Sequence, residues 1–481
     1  MAVPRWAPLV PLLAVVALLL VPPPRGEQGT GTVADAASAV LVAFCVVRLV
    51  RDRDRARARP LSRTAAVVLG LPVLGVCAAA VASNDPASSL PGVARYLQVF
   101  VLVPAAVVLL VRDRRDFALV AWAVIGLALV QGAVGVVQYL TGTGASYQGE
   151  DVRAVGTFGA TDVLGMAAVV AFGLVAAVGM ALGTAGRARA VAVCCAGLLA
   201  VPLVVSFSRG AWIATVVACG VLLALSGLRR AVWAGLAAGA VGVVLVAGLG
   251  VGSRMVEERV ASISQVTAAP DQSVTDRYTM WAAAASMWRA EPLTGVGLKG
   301  FPQYRDGHAS LALSSGSDTA GAGSGFQRQP LLSPHNMYLL LLGEQGLLGL
   351  ATVAGSWLAL LACGLRRLWG LRGLRRLPGA ECGLVAVGLL VWQLVDFTYA
   401  DIGGPATVLT GLVLGLAAWW ALSPHGAGTP GDAGPVPATP GAAAPAGVAG
   451  PGVPTSDAAR PSPDRTCAVD TGRHREVRPR G

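Results

Sequence analysis

The chain has 481 residues, of which 54% are hydrophobic and only 13% are charged, and its formal net charge is +11. This composition excludes an ordinary soluble domain, because many apolar runs reach the roughly 20 residues that a helix needs to cross a bilayer. We therefore predict an all-α integral membrane protein with about twelve transmembrane helices. The predicted spans lie near 8–22, 33–50, 64–82, 93–111, 117–140, 163–182, 190–206, 211–227, 231–250, 346–364, 380–398 and 405–421.

Arginine is concentrated in every second loop between these spans. By the positive-inside rule such loops face the cytoplasm, which leaves both termini cytoplasmic and the long loop 251–335 extracytoplasmic. The net positive charge then reflects membrane topology, and we expect no nucleic-acid partner. The arginine-rich stretches are 51–63, 112–115, 187–189, 229–230 and 366–376.

The spans divide the chain into four parts. Residues 1–250 hold about nine spans, 251–335 form one large extracytoplasmic loop, and 336–422 hold about three further spans. Residues 423–481 are rich in Pro, Gly and Ala and are predicted to form a disordered cytoplasmic tail, because such a composition buries little apolar surface. The first span could also be a signal peptide, but it ends in a run of prolines at 22–24, so we favour a retained helix.

The sequence offers no obvious metal site. The cysteines lie in or beside spans or in the tail, and none has a spacing typical of a metal ligand. Asp52-Arg53-Asp54 resembles the D-x-D of metal-dependent glycosyltransferases, but it lies in a cytoplasmic charge run. We predict neither a metal nor a cofactor.

Arg209 lies at a membrane edge, inside the tight turn Ser208-Arg209-Gly210. An arginine in this position often only anchors a helix at the interface. Here it lies on the side that the positive-inside rule disfavours, and Gly210 would let the backbone approach a ligand closely. Arg209 is therefore a candidate for binding substrate.

Arg277 opens a helical pattern in the long loop, and it shares one face of that helix with Trp281 and Trp288. Asp276 is predicted to cap this helix. The pattern is typical of an amphipathic helix that lies on the bilayer with its Trp residues at the headgroups, an arrangement that would also aim Arg277 at a lipid headgroup.

The glycines and the polar stretch that follow this helix are predicted to be flexible. Gly295, Gly297 and Gly300 would form a flexible turn, and residues 305–330 a mobile segment.

His335 lies in Ser333-Pro334-His335, where Ser333 is a predicted N-cap and Pro334 fits the first helical position. The positive end of the helix disfavours imidazolium, so the side chain should be neutral and able to act as a general base. The alternative is a histidine that only caps or packs. His308, in the mobile segment, receives no role.

Arg153 and Asp162 lie at an extracytoplasmic edge. They could form an interfacial ion pair, or Arg153 could line a substrate cleft. The arginines at 209 and 277 suit a diphosphate, because guanidinium groups bind phosphate bidentately and can stabilise a leaving group without a metal.

Three motifs carry a resemblance to a known family. They are Ser208-Arg209-Gly210-Ala211-Trp212, Arg277-x-x-x-Trp281 followed by Pro292-Leu293-Thr294-Gly295-Val296-Gly297, and Pro334-His335-Asn336-x-Tyr338 followed by Glu344-x-Gly346-Leu347-Leu348-Gly349. In order and spacing they resemble the O-antigen ligase/polymerase superfamily of polytopic membrane glycosyltransferases. Gly156-Thr157-Phe158 resembles a further family segment, but Ala160-Thr161-Asp162 stands where Pro-Asn usually follows.

The resemblance implies a cell-membrane enzyme of polysaccharide biosynthesis in the cell envelope. It would transfer a glycan from an undecaprenyl-diphosphate-linked donor to a hydroxyl of a glycan, lipid or protein acceptor, with inversion and without metal. Arg209 and Arg277 would bind the diphosphate, and His335 would be the base. The motifs do not separate a ligase from a polymerase. The alternative from another class is a transporter or flippase of lipid-linked glycan or of a small solute, although candidate residues at one membrane face favour the enzyme.

Overall fold

The computed structural model describes residues 5–23, 32–51, 61–83, 85–147, 152–162, 164–227, 272–321, 324–370 and 379–423. Over these ranges the chain is mostly helical. The helices are α1 (Val10–Leu18), α2 (Val33–Arg51), α3 (Arg63–Ala82), α4 (Pro86–Leu97), α5 (Val103–Leu110), α6 (Arg114–Thr141), α7 (Gly165–Gly183), α8 (Gly186–Val205), α9 (Arg209–Ser226), α10 (Gln272–Ala290), α11 (Phe301–His308), α12 (Met337–Gly370), α13 (Ala380–Asp396) and α14 (Thr407–Leu422).

Eight helical stretches among the described residues are long and apolar enough to cross a membrane. Two shorter apolar helices, Ala7–Leu18 and Thr407–Leu422, and the helix α13 coincide with three further predicted spans. The predicted span near 231–250 lies outside the described residues, as do most of the predicted tail and part of the predicted long loop. A multi-pass membrane protein is thus confirmed, while the total of twelve spans stays a prediction. The eight stretches are Val33–Arg51, Arg63–Ala82, Pro86–Leu110, Arg114–Thr141, Gly165–Gly183, Gly186–Val205, Arg209–Ser226 and Met337–Gly370.

Helix α7 is the most enclosed of these stretches and packs against α6, α8 and α13. Small residues allow the close approach, because a Cβ at Gly173 would lie 2.2 Å from Cβ of Ala128 on α6. Close backbone approach at glycine and alanine is typical of helices packed in membranes. Helix α12 packs on α3 and α14 in a second part of the same core.

Helix α12 is interrupted at Gly346, whose φ of 63° and ψ of −162° lie outside the helical region. The turn at residues 292–297 is hydrogen-bonded to both sides of the break. Val296 N donates to Gly343 O (3.0 Å) and Leu347 N donates to Pro292 O (2.9 Å), and two similar bonds flank them. The prediction of a flexible glycine turn is wrong, because Gly295 and Gly297 use positive φ values to dock onto α12.

A small antiparallel sheet accompanies the helices of the predicted all-α fold. Its strand order is β1 (Ala145–Tyr147), β2 (Ser317–Gly321) and β3 (Ser324–Gln329). Ala145 pairs with Gly321, and Ser317 pairs with Gln329. The segment 305–330, which was predicted to be mobile, contains the end of α11 and the β2–β3 hairpin, and backbone pairing with β1 ties the hairpin to the N-terminal half. Its mobility stays a prediction.

Candidate active site

His335 precedes α12 and does not lie within its first turn. The N-cap is Asn336, whose Oδ1 accepts a hydrogen bond from Leu339 N at 3.0 Å. His335 itself has a φ of 47°, a left-handed conformation. The prediction that Ser333 caps the helix and that Pro334 opens it is therefore wrong. The amide of Asn336 can accept a hydrogen bond through its oxygen, which caps the helix, and at the same time donate one through its nitrogen to another segment.

The backbone next to His335 is fixed to the turn that follows α13, residues 397–404, which we call the 397–404 turn. Met337 N donates to Phe397 O at 2.8 Å and to Ala400 O at 3.0 Å. Asn336 Nδ2 donates to Thr398 O at 3.1 Å. A left-handed conformation costs a non-glycine residue roughly 1–2 kcal/mol. These three hydrogen bonds offset that cost and fix the backbone that follows His335.

Burial favours the neutral form of His335. It lowers the pKa of the imidazole below the usual 6.5, and the charge of Arg277 lowers it further, whereas Asp401 raises it. The direction of the prediction holds, since a lowered pKa keeps the imidazole unprotonated at neutral pH.

The 397–404 turn also contacts the segment that carries Arg209. A Cβ on Gly210 would lie 3.2 Å from Cβ of Tyr399, so the missing side chain lets α9 pack directly on this turn. The sequence suggested that Gly210 makes room for a ligand. In the structure it makes room for Tyr399.

Arg209 is the first residue of α9. Ser208 is the N-cap, since its side chain accepts a hydrogen bond from Ala211 N at 3.4 Å. Phe207 takes a φ of 49°, which turns the chain sharply between α8 and α9. Arg209 thus lies at the positive end of a helix, where backbone N–H groups favour an anion.

Arg277 lies one turn inside α10, because the helix begins at Gln272. Asp276 is consequently not its cap, and its carboxylate instead accepts hydrogen bonds from Gln272 Nε2 (2.9 Å), Ser314 N (2.8 Å) and Ser314 Oγ (2.6 Å). These contacts tie α10 to the chain ahead of β2.

One face of α10 packs against α12, so lipid does not cover that face. Met280, Ala284 and Met287 are buried there. Trp281 Nε1 donates to Pro334 O at 2.8 Å. The indole N–H therefore contacts the residue next to His335 and brings the Arg277 segment to the histidine. The predicted position of the Trp residues at the headgroups stays a prediction.

Asp401 acts on His335 and received no role in the sequence analysis, and Asp162, which the sequence offered only as an ion-pair partner, lies near Asp401. Asp401, in the 397–404 turn, lies within electrostatic range of both His335 and Asp162. Asp162 fits against Gly404, where a Cβ would lie 2.3 Å from its Oδ2. Burial raises the pKa of Asp162 to about 6. Hydrogen bonds from backbone N–H groups, such as that of Gly165, lower the pKa and so oppose part of this rise. The available signal was Asp401-Ile402-Gly403-Gly404, a carboxylate beside two glycines between apolar helices.

Arg153 lies half-buried in a short extended segment. Its backbone pairs with Ala145 through Ala145 N–Arg153 O (3.0 Å) and Arg153 N–Ala145 O (2.9 Å), and the next residue, Ala154, donates to Val205 O at 3.4 Å. The segment thus lies against the end of α8, four residues before Arg209. A role in a cleft wall, or in an ion pair with Asp162, stays a prediction.

Within the ranges that the structure describes, no group of three or more His, Cys, Asp or Glu side chains could hold a metal ion. Independence from metal stays a prediction.

Residues 192–354 match the family model described as O-antigen ligase, which confirms the resemblance seen in the motifs. The match covers roughly a third of the 481 residues and includes Arg209, Arg277 and His335. Asp162 and the 397–404 turn lie outside it. A search of curated proteins found no significant match.

Proposed function

We propose that this multi-pass membrane protein, which matches the O-antigen ligase family over residues 192–354, is a glycosyltransferase. It moves a glycan from an undecaprenyl-diphosphate-linked donor to an acceptor hydroxyl, without metal and with inversion. One observation carries the proposal. The segments of Arg209 and His335 both pack on the 397–404 turn, and Arg277 lies in electrostatic range of His335.

The arginines form the donor side of the proposed site. Arg209 combines a permanent positive charge with the backbone N–H groups at the start of α9, a combination that binds phosphate. Arg277 adds a second guanidinium close to His335. As the bond between the sugar and the diphosphate breaks, negative charge grows on the leaving diphosphate, and fixed cations stabilise that charge.

His335 forms the acceptor side. The neutral imidazole removes the proton from the acceptor hydroxyl while that oxygen bonds to the anomeric carbon of the donor sugar. The bond from this carbon to the diphosphate oxygen breaks in the same step, and undecaprenyl diphosphate leaves with the electron pair. Attack from the face opposite the leaving group inverts the anomeric centre. The imidazolium that results lies in range of Asp401, which favours it; Asp401 is thus a positioning residue.

The arginine distribution supports an active site on the extracytoplasmic face with both termini in the cytoplasm. The acceptor can be a glycan, a lipid or a protein, and it decides between a polymerase and a ligase. A transporter or flippase remains the alternative function. The grouping of the candidate residues on loops and helix ends favours the enzyme, since transporters bind their substrates near the bilayer midplane.

A transfer assay with purified protein and lipid-linked glycan from the native membrane tests the proposal. His335→Ala should abolish most transfer and leave donor binding nearly unchanged, because the base acts on the acceptor. His308→Ala is the matched control and should keep near-normal transfer, because His308 has no part in the proposed site. Its Nδ1 is hydrogen-bonded to Ser286 Oγ at 2.9 Å, a contact between α11 and α10. Wild-type turnover by well-folded His335→Ala would refute the proposed base.

A further inference from the structure

Two aromatic rings on α10 form a perpendicular pair next to the proposed site. The ring centroids of Tyr278 and Trp281 are 5.5 Å apart, and the ring planes meet at 85°. Trp281 is partly buried and is held by the hydrogen bond from its Nε1 to Pro334 O. Tyr278 has 53% of its surface exposed. The two rings therefore form a corner in which the Trp281 ring is held in place and the Tyr278 ring is exposed.

Packing among the residues that the structure describes does not explain this corner. The face of α10 that packs on the rest of the protein is supplied by Met280, Ala283, Ala284 and Met287, which are all buried. Tyr278 lies off that face and leaves much of its ring open. An aromatic ring that is held by a neighbouring ring and remains about half exposed is suited to contact an apolar ligand surface.

Trp281 relates this corner to both halves of the proposed site. It lies four residues after Arg277 on α10, a spacing at which helical side chains are neighbours, and it donates to the residue before His335. In a lipid-diphosphate donor, the first sugar is bonded to the diphosphate at the anomeric carbon that the acceptor attacks. This sugar must therefore lie between the cation that holds the diphosphate and the histidine that receives the acceptor proton.

We propose that Tyr278 and Trp281 hold the first sugar ring of the donor, a pyranose that packs its C–H face on one ring and its edge on the other. The inference rests on the proposed function and adds a sugar subsite to it. Aromatic rings contact such apolar faces without reading individual hydroxyl groups, as they do for stacked bases. The subsite thus detects that a sugar is present on the lipid.

The test compares two probes, undecaprenyl diphosphate and undecaprenyl-diphosphate-linked N-acetylglucosamine, for binding to the purified full-length protein. The wild type should bind the sugar-bearing lipid more tightly. Tyr278→Ala should reduce this preference about fivefold and leave the affinity for undecaprenyl diphosphate unchanged, since ring contacts contribute on the order of 1 kcal/mol. Tyr278→Phe should retain the preference, because the ring is kept.

Phe326→Ala is the matched control, because Phe326 on β3 is also an exposed aromatic, with 72% of its surface accessible, and should show the wild-type preference. If Tyr278→Ala weakens both probes equally, the ring contacts the lipid and the sugar subsite is refuted while the proposed function stands. An unchanged preference in Tyr278→Ala, or a wild type that binds both probes equally, also overturns the subsite. A wild type that binds neither probe contradicts the proposed function itself.

Discussion

The break in α12 supports a sharp prediction about Gly346. Its φ is +63°, and a Cβ added there would lie 2.3 Å from the carbonyl carbon of Leu293 and 2.4 Å from its oxygen. Both are backbone atoms, so no side-chain rotation relieves the clash. Gly346→Ala should therefore push the 292–297 turn away from α12.

The cost can be worked from the contacts. Alanine at φ 63° and ψ −162°, a region that essentially only glycine adopts, costs on the order of 1–3 kcal/mol. The four hydrogen bonds between the turn and α12 contribute about 1 kcal/mol each. Their donors are Val296 N, Gly297 N, Leu347 N and Leu348 N, at 2.9–3.1 Å from their acceptors. If the turn detaches, Gly346→Ala destabilises the protein by about 5–7 kcal/mol, a large share of the typical 5–15 kcal/mol.

Thermal unfolding in detergent, followed by tryptophan fluorescence, measures the effect, and glycan transfer is assayed in parallel. Gly355→Ala is the matched control, because Gly355 lies in the same helix and has nothing within 4 Å of an added Cβ. It should melt at or above the wild-type temperature, since alanine is the better helix former. Gly346→Ala protein that melts and turns over like Gly355→Ala would show that the turn is not fixed to α12.

Three further predictions test the donor site, the metal and the topology. Arg209→Lys and Arg277→Lys should each reduce transfer roughly a hundredfold, because lysine lacks the planar fork; near-normal rates would contradict diphosphate binding by these side chains. Transfer should survive EDTA, and loss on chelation with recovery in magnesium would mean that the site needs a metal. In a cysteine-free background, Leu311→Cys should react with an impermeant thiol reagent in intact cells while a cysteine within 51–63 should not; the reverse pattern would place the site in the cytoplasm.

The helices could be predicted from the sequence because membrane insertion depends on local hydropathy. Arg209, Arg277 and His335 could be found because each lies in a short polar motif at the end of an apolar stretch. Glycine patterns were ambiguous, by contrast. A glycine can loosen a turn or permit close packing, and only long-range contacts showed that Gly295 docks onto α12 and that Gly210 packs on Tyr399.

The 397–404 turn could not be predicted as the meeting point of the site. Its role depends on the backbone carbonyls of Phe397, Thr398 and Ala400, which accept hydrogen bonds from the His335 segment. Every residue has a carbonyl, so the sequence carries no mark of this contact. Asp401 lies in the same short turn, far in sequence from the long loop that holds Arg277 and His335.

The two charges that face His335 have opposite effects on its pKa, and this links donor binding to the base. Burial and Arg277 lower that pKa from 6.5, whereas Asp401 raises it. Because only the neutral imidazole accepts a proton, transfer should persist below pH 6.5 and be lost as the pH falls through the lowered pKa.

A bound diphosphate neutralises Arg277 and so removes one of the effects that lower the pKa of His335. The acid limb of the kcat–pH profile, which reports the donor complex, should therefore lie at higher pH than the acid limb of kcat/KM for the donor. Asp401→Asn should move both limbs to lower pH, and Asp318→Asn on β2 should move neither. Limbs that coincide in the wild type and do not respond to Asp401→Asn would show that neither charge acts on the proposed base.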